Sequence, residues 1–229
     1  MWSPQTIMPN SAQSPGADPF QPLFQSYGLG WTLREYRGHL TVSHTGGLLG
    51  MTSRVLLVPD ARLGVVVLEN VDERGAFDAL AWTVADSYLG APPTDWIKSL
   101  KVADDAQENA AASATAQRDS LHEREKPSQP RAAYAGRYRD SWYGDATVTL
   151  EGARLLLRFT HTPALTGELE PFDGQTFIVH WNDRSLRADA FVKFTLDAGK
   201  VTHMRLEPVS ALTDFSFDFH DLDFVSVTP

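Results

Sequence analysis

Along most of the chain apolar and polar residues alternate in short runs, and in one place they settle into a helical spacing. From Tyr27 the pattern reads as strand, turn, strand. Residues 28–36 form a first strand, Arg37-Gly38-His39 its turn, and residues 40–43 a second strand running into His44-Thr45-Gly46-Gly47. Residues 53–58 are a third strand, Pro59-Asp60-Ala61-Arg62 a turn, and residues 63–70 a fourth, rich in β-branched side chains. Phe77, Leu80, Ala81, Val84, Ala85 and Tyr88 then recur at helical spacing, closed by Gly90 and Pro92. A meander followed by a helix that covers one sheet face predicts an α+β module.

Beyond Pro130 the period is two throughout. Strands are expected near 136–139, 146–151, 154–160, 168–172, 176–180, 190–196 and 201–207. Gly152, Asp173-Gly174, Asn182-Asp183 and Asp197-Ala198-Gly199 punctuate them. Leu155, Leu157 and Phe159 alternate with Arg154, Leu156 and Arg158, as a sheet with one partly wet face requires. About seven antiparallel strands in about 100 residues point to a small barrel or sandwich.

Composition separates the two patterns. Five prolines between residues 3 and 22 (Pro4, Pro9, Pro15, Pro19, Pro22) predict extended or irregular chain. Residues 103–130 are rich in Ala, Gln, Glu, Asp and Ser, and Pro127 and Pro130 close them. Such a stretch is a polar helix or a mobile linker. The expected organisation is a first module over 1–95, a linker over 96–130 and a second module over 131–229.

Charge and cysteine usage narrow the function. The formal charge is −9, which argues against a nucleic-acid partner. No apolar run approaches the ~20 residues of a membrane span. The N-terminus has neither the basic nor the apolar region of a signal peptide, and compartment is otherwise left open. With no cysteine, disulfides, thiolate nucleophiles and Cys-based zinc sites are excluded. No cofactor or metal is expected.

The candidate chemistry is His44-Thr45-Gly46. A polar ring, a hydroxyl and a glycine at a strand edge can hold a substrate carboxylate or carbonyl, and an extended ligand can pair with the open edge. A plain Thr-Gly-Gly turn is the alternative. The order of motifs decides between them: Tyr27-Gly28-Leu29-Gly30-Trp31, a strand pair, His44-Thr45-Gly46-Gly47, Arg54-Val55-Leu56-Leu57-Val58-Pro59-Asp60 and Gly64-Val65-Val66-Val67-Leu68-Glu69-Asn70. Over roughly 20–90 this series resembles the C-terminal stretch of the class C β-lactamase-like serine hydrolases, relatives of penicillin-binding proteins, esterases and peptidases. The resemblance implies that His44, Thr45 and Gly46 line the substrate site, with His44 where many members have Lys. It also implies a small-molecule, peptide or ester substrate for the complete family protein.

Other family motifs are missing from these 229 residues. Asp95, Lys98, Glu123, Ala190 and Asp197 stand three residues before the five lysines, so there is no Ser-x-x-Lys. Met8, Leu68, Gln107 and His180 stand two residues before the four asparagines, so Tyr-x-Asn and Ser-x-Asn are absent too. No Gly-x-Ser-x-Gly elbow replaces them. Ser43 is next to His44, but neighbours on a strand point to opposite faces and cannot form a dyad. The chain is therefore expected to be inactive alone, and its open sheet edge to favour self-association.

In the second module, Tyr134-Ala135-Gly136-Arg137-Tyr138 and Trp142-Tyr143-Gly144 resemble the opening of the DUF3471 domain, which often follows this hydrolase domain. Leu155-Leu156-Leu157-Arg158-Phe159, Leu165-Thr166-Gly167-Glu168-Leu169 and Asp214-Phe215-Ser216-Phe217-Asp218 extend the likeness. His161, His180, His203 and His220 lack metal-site spacing, so surface or half-buried histidines are the better reading. Trp142, Tyr143 and Trp181 either stack on a ligand or plug the end of a barrel. Asp214, Asp218, Asp221 and Asp223 read as solvated acids on a final strand rather than a calcium site. The competing functional class is a non-catalytic ligand- or protein-binding module carried by this second half.

Overall fold

The structure, a computed structural model, describes residues 1–9, 22–48, 50–71, 75–121 and 126–227. Most of the proline-rich stretch read over 3–22, and part of the stretch read as linker, lie outside these residues. The chain divides into two units, Met1–Asn109 and Ala110–Pro229.

The first unit is built on an antiparallel sheet whose strands follow chain order: β1 (Thr6–Ile7), β2 (Gln25–Tyr27), β3 (Thr32–Tyr36), β4 (His39–Leu48), β5 (Met51–Val58) and β6 (Leu63–Glu69). The strand read over 28–36 is shorter than expected. Gly28 donates its N–H to the Trp31 carbonyl at 2.7 Å and Gly30 has φ of 81°, so the first four residues form a turn between β2 and β3.

Helix α1 (Ala76–Tyr88) packs on β5 and β6. Its buried face, with Ala79, Ala81, Trp82 and Ala85, meets Tyr36, Leu56 and Val65. The small alanines let the backbone approach the sheet, and the Trp82 ring alone contributes about 2–3 kcal/mol by burial. At its end Leu89 and Ala91 donate to the Ala85 and Asp86 carbonyls, with Gly90 at φ of 64°, which stops the helix. A second helix, α2 (Trp96–Leu121), follows, and the division between units falls within it. Trp96 completes the first core: it stacks on Trp82 at 5.9 Å between centroids.

The second unit is a closed eight-stranded antiparallel barrel: β7 (Gly136–Asp140), β8 (Gly144–Glu151), β9 (Arg154–Phe159), β10 (Thr166–Asp173), β11 (Thr176–Trp181), β12 (Ala190–Asp197), β13 (Lys200–Pro208) and β14 (Asp223–Ser226). Each strand pairs with its chain neighbours, and β14 returns to β7. The sequence pattern points to about seven strands; the eighth is the short β14, without which β13 and β7 would both keep an open edge.

Side chains fill the interior. Trp181, Phe177, Phe194, Phe224, Tyr134 and Tyr138 are all buried there, and Trp181 donates to the Ala188 carbonyl at 2.6 Å. Trp181 is thus core, whereas Trp142 is exposed and meets Tyr143 edge to face. The Asp140 carboxylate accepts N–H groups from Trp142, Tyr143 and Asp223, tying the β7–β8 hairpin to the closing strand. Within this unit Arg118 donates to the Val209 carbonyl at 2.8 Å and lies 4.6 Å over the Phe191 ring. The acids and histidines of this half form local pairs: His180 with Asp189, His203 with Asp223, and His220 with Asp221.

Candidate functional site

Strand β4 outlasts its neighbour. Its pairing with β3 runs from Tyr36 opposite His39 to Thr32 opposite Ser43 and stops there. His44 to Leu48 continue against β5 alone, His44 opposite Val55 and Gly46 opposite Ser53. Along this stretch the side of β4 away from β5 has no strand partner among the described residues. An open backbone edge of this kind can take an extended ligand as a further strand.

The sequence-predicted residues gather here. Thr45 and His44 both line a cavity of about 350 Å³. Gly46 lies beside them on the same strand, and a Cβ there would come within 2.7 Å of the Ser53 hydroxyl. Ser43 is buried while His44 is exposed, and the His44 ring bonds elsewhere: Nε2 lies 2.9 Å from the Tyr27 hydroxyl and Nδ1 lies 2.6 Å from the Thr45 carbonyl oxygen.

The rest of the cavity was not legible as a site. Arg34, Arg54, Asp78, Trp82 and Trp96 contribute to it from β3, β5, α1 and α2. Arg54 is only 9% exposed; it forms an ion pair with Asp78 in the first turn of α1 and lies 5.3 Å over the Trp82 ring. Arg34 stands at the same distance from that ring. Burial pushes the Asp78 carboxyl above its ordinary value, against the downward pull of Arg54 and Arg34. The cavity wall is therefore polar but internally compensated. A buried carboxylate sits deeper: Asp86, 4% exposed, accepts from Tyr36 Oη, from Arg37 Nε at 3.0 Å and from Trp96 Nε1 at 2.8 Å. Burial first, and then the Asp86 carboxylate, push the Tyr36 hydroxyl well up from its ordinary value. The Arg34–Trp82, Arg54–Trp82, Arg54–Asp78 and Asp86 contacts join distant parts of the chain, and no local motif announces them.

The first unit is thus an α+β sheet with a strand edge open beside a polar cavity, and the second a closed barrel. Comparison with known proteins divides the chain in the same way. Residues 4–89 match the family model described as Beta-lactamase, and residues 122–226 the one described as Domain of unknown function (DUF3471). The first part of the chain is thus similar to β-lactamase-family proteins and the second to DUF3471 domains, each match covering less than half of the chain.

An unguisins hydrolase from Aspergillus violaceofuscus is 31% identical over 159 residues, covering 66% of this chain and 28% of that protein. Among solved structures, the octameric penicillin-binding protein homologue from Pyrococcus abyssi is 17% identical with a TM-score of 0.31, covering 91% of this chain and 39% of that one. SurE with D-Leu is 14% identical with a TM-score of 0.34, covering 97% and 42%. The chain thus spans 28% of the curated relative and about two fifths of the solved structures it matches.

Proposed function

We propose that the first unit is the substrate-side wall of a serine hydrolase of the β-lactamase family, with His44, Thr45 and Gly46 lining the site. The observation that carries this reading is the free run of β4 from His44 to Leu48, which leaves a backbone edge beside the cavity. The hydrolase name of the curated relative supports the reaction class. In the complete family protein a serine attacks an ester, amide or lactam carbonyl, the acyl-enzyme forms as the leaving group departs, and water then releases the acid. The residues of this chain position the acyl group and support charge on its oxygen; they do not attack it. The chain has no Ser-x-x-Lys and no Tyr-x-Asn or Ser-x-Asn, so alone it does not turn over.

Two measurements test this. The isolated chain is expected to show no hydrolysis of β-lactams or p-nitrophenyl esters above a denatured control; stoichiometric labelling of one serine by a fluorophosphonate or penicillin probe would refute that. In a complete family protein carrying this unit, His44→Ala is expected to lower kcat/KM by roughly 10–1000-fold with the fold retained. An unchanged kcat/KM and pH–rate profile would return His44 to a structural role. The filled interior of the barrel argues for a companion role for the second unit rather than an internal ligand site.

A further inference from the structure

In the sequence Tyr27 opens the Tyr-Gly-Leu-Gly-Trp run and carries no assigned chemistry. The structure places its hydroxyl 2.9 Å from His44 Nε2. The other ring nitrogen, Nδ1, lies 2.6 Å from the Thr45 carbonyl oxygen. A carbonyl can only accept, so Nδ1 must carry the hydrogen of that bond. In the neutral ring Nε2 is then the acceptor, and the Tyr27 hydroxyl is its donor. Both nitrogens are thereby committed, and the ring is held at two points.

The backbone that carries the phenol is well fixed. Tyr27 is paired on one side with Thr6 of β1 and on the other with Thr32 of β3. Its carbonyl accepts the Gln5 N–H at 2.9 Å. Immediately after it the chain is too close-packed for any side chain, because a Cβ on Gly28 would run into the Met1 carbonyl. The hydroxyl is therefore delivered from a rigid sheet position to the residue at which β4 leaves β3.

We infer that Tyr27 is the positioning residue of the His-Thr-Gly strand: its hydroxyl and the Thr45 carbonyl fix His44 in one tautomer and one orientation at the open edge of β4. The inference rests on the reading of His44 as site-lining. A ring held in this way presents an oriented dipole to a bound acyl group rather than the mobile point charge of a lysine ammonium. Tyr27 acts through His44 and takes no part in bond making.

The test uses the whole chain labelled with nitrogen-15 and needs no substrate. Long-range proton–nitrogen spectra at a pH where imidazoles are neutral are expected to show His44 with a protonated Nδ1 and an unprotonated, hydrogen-bonded Nε2; His44→Gln identifies its signals. Tyr27→Phe keeps the ring and removes the donor, so the Nε2 resonance should move toward the unbonded limit. Diethylpyrocarbonate should then modify His44 roughly 2–10-fold faster in Tyr27→Phe, the effect of releasing one hydrogen bond, with His161 as an unchanged internal control. A proton on Nε2 in the unaltered chain would overturn the inference, even if the variant did not fold. So would a folded Tyr27→Phe chain with unchanged Nε2 shift and unchanged modification rate. Neither failure touches the proposed function, which is read from the His44→Ala kinetics; unchanged kinetics there would remove the functional reading while leaving the bond intact.

Discussion

Asp223 on β14 faces two side chains of β13, Arg205 Nη2 at 2.7 Å and His203 Nδ1 at 2.9 Å. Arg205 does most to hold its carboxyl down at about 2, with His203 adding to the effect and partial burial opposing it. Because the folded value lies below the ordinary 3.8, the ionised pair stabilises the barrel above about pH 4 and that contribution is lost as pH falls toward 2. Asp223→Asn should therefore lower the melting temperature at neutral pH and flatten its fall between pH 4 and 2. An acid limb identical to that of the unaltered chain would show the pair to be screened out. Asp86 is a buried acid with three donors. Asp86→Ala removes the acceptor of the Trp96 and Tyr36 donors and the charge partner of Arg37, and should cost about 3–5 kcal/mol, read from the urea midpoint followed by tryptophan fluorescence. At this scale the sequence showed residue types but not partners: Arg37 and Asp86 are far apart in the chain and meet only when α1 lies on the sheet.

Among the elements, β6 carries the clearest exposed edge. It ends the sheet, it has seven residues, and its interior Gly-Val-Val-Val-Leu run holds no charge. Val66 and Leu68, 63% and 77% exposed, point away from the α1 side. An uncharged apolar edge is a template for pairing with another chain. We expect the protein to associate through β6 in sedimentation at micromolar concentration, and Val66→Lys to shift it toward monomer without lowering its melting temperature. Association unaffected by Val66→Lys would move the contact elsewhere. Strands β1 and β2, two and three residues long, are too short to show a period, whereas strands β3 to β6 and helix α1 were legible from theirs. The split of 28–36 into turn and strand was not, since two glycines suit a strand end and a turn equally until β2 supplies a partner.

On the scale of the whole chain, the barrel closes on itself while the sheet does not. Residues 131–229 expressed alone should be monomeric and unfold cooperatively, because the strands described in that span pair on both sides. Residues 1–100 alone should fold poorly or dimerise, having lost Ala103, which is buried in the intact chain. Limited proteolysis should cut first within 103–130, where most side chains are exposed. A cooperatively melting monomer of 1–100 beside an unfolded 131–229 would reverse this assignment.

The sequence by itself determined what depends on short range. Period-two runs, glycine turns and the helical spacing of 77–88 follow from local chain geometry, and the motif order carries the family. Tertiary structure alone decided closure and contact. Whether the second half is a barrel or a sandwich depends on β14 finding β7, more than eighty residues away. His44-Thr45-Gly46 could be read in the chain, but the end of the β3–β4 pairing at Ser43, the cavity with Arg54 and Asp78, and the hydrogen bond from Tyr27 could not. Those features arise where separate strands stop, cross and pack, and side-chain patterning fixes which face a residue takes without fixing what it meets there.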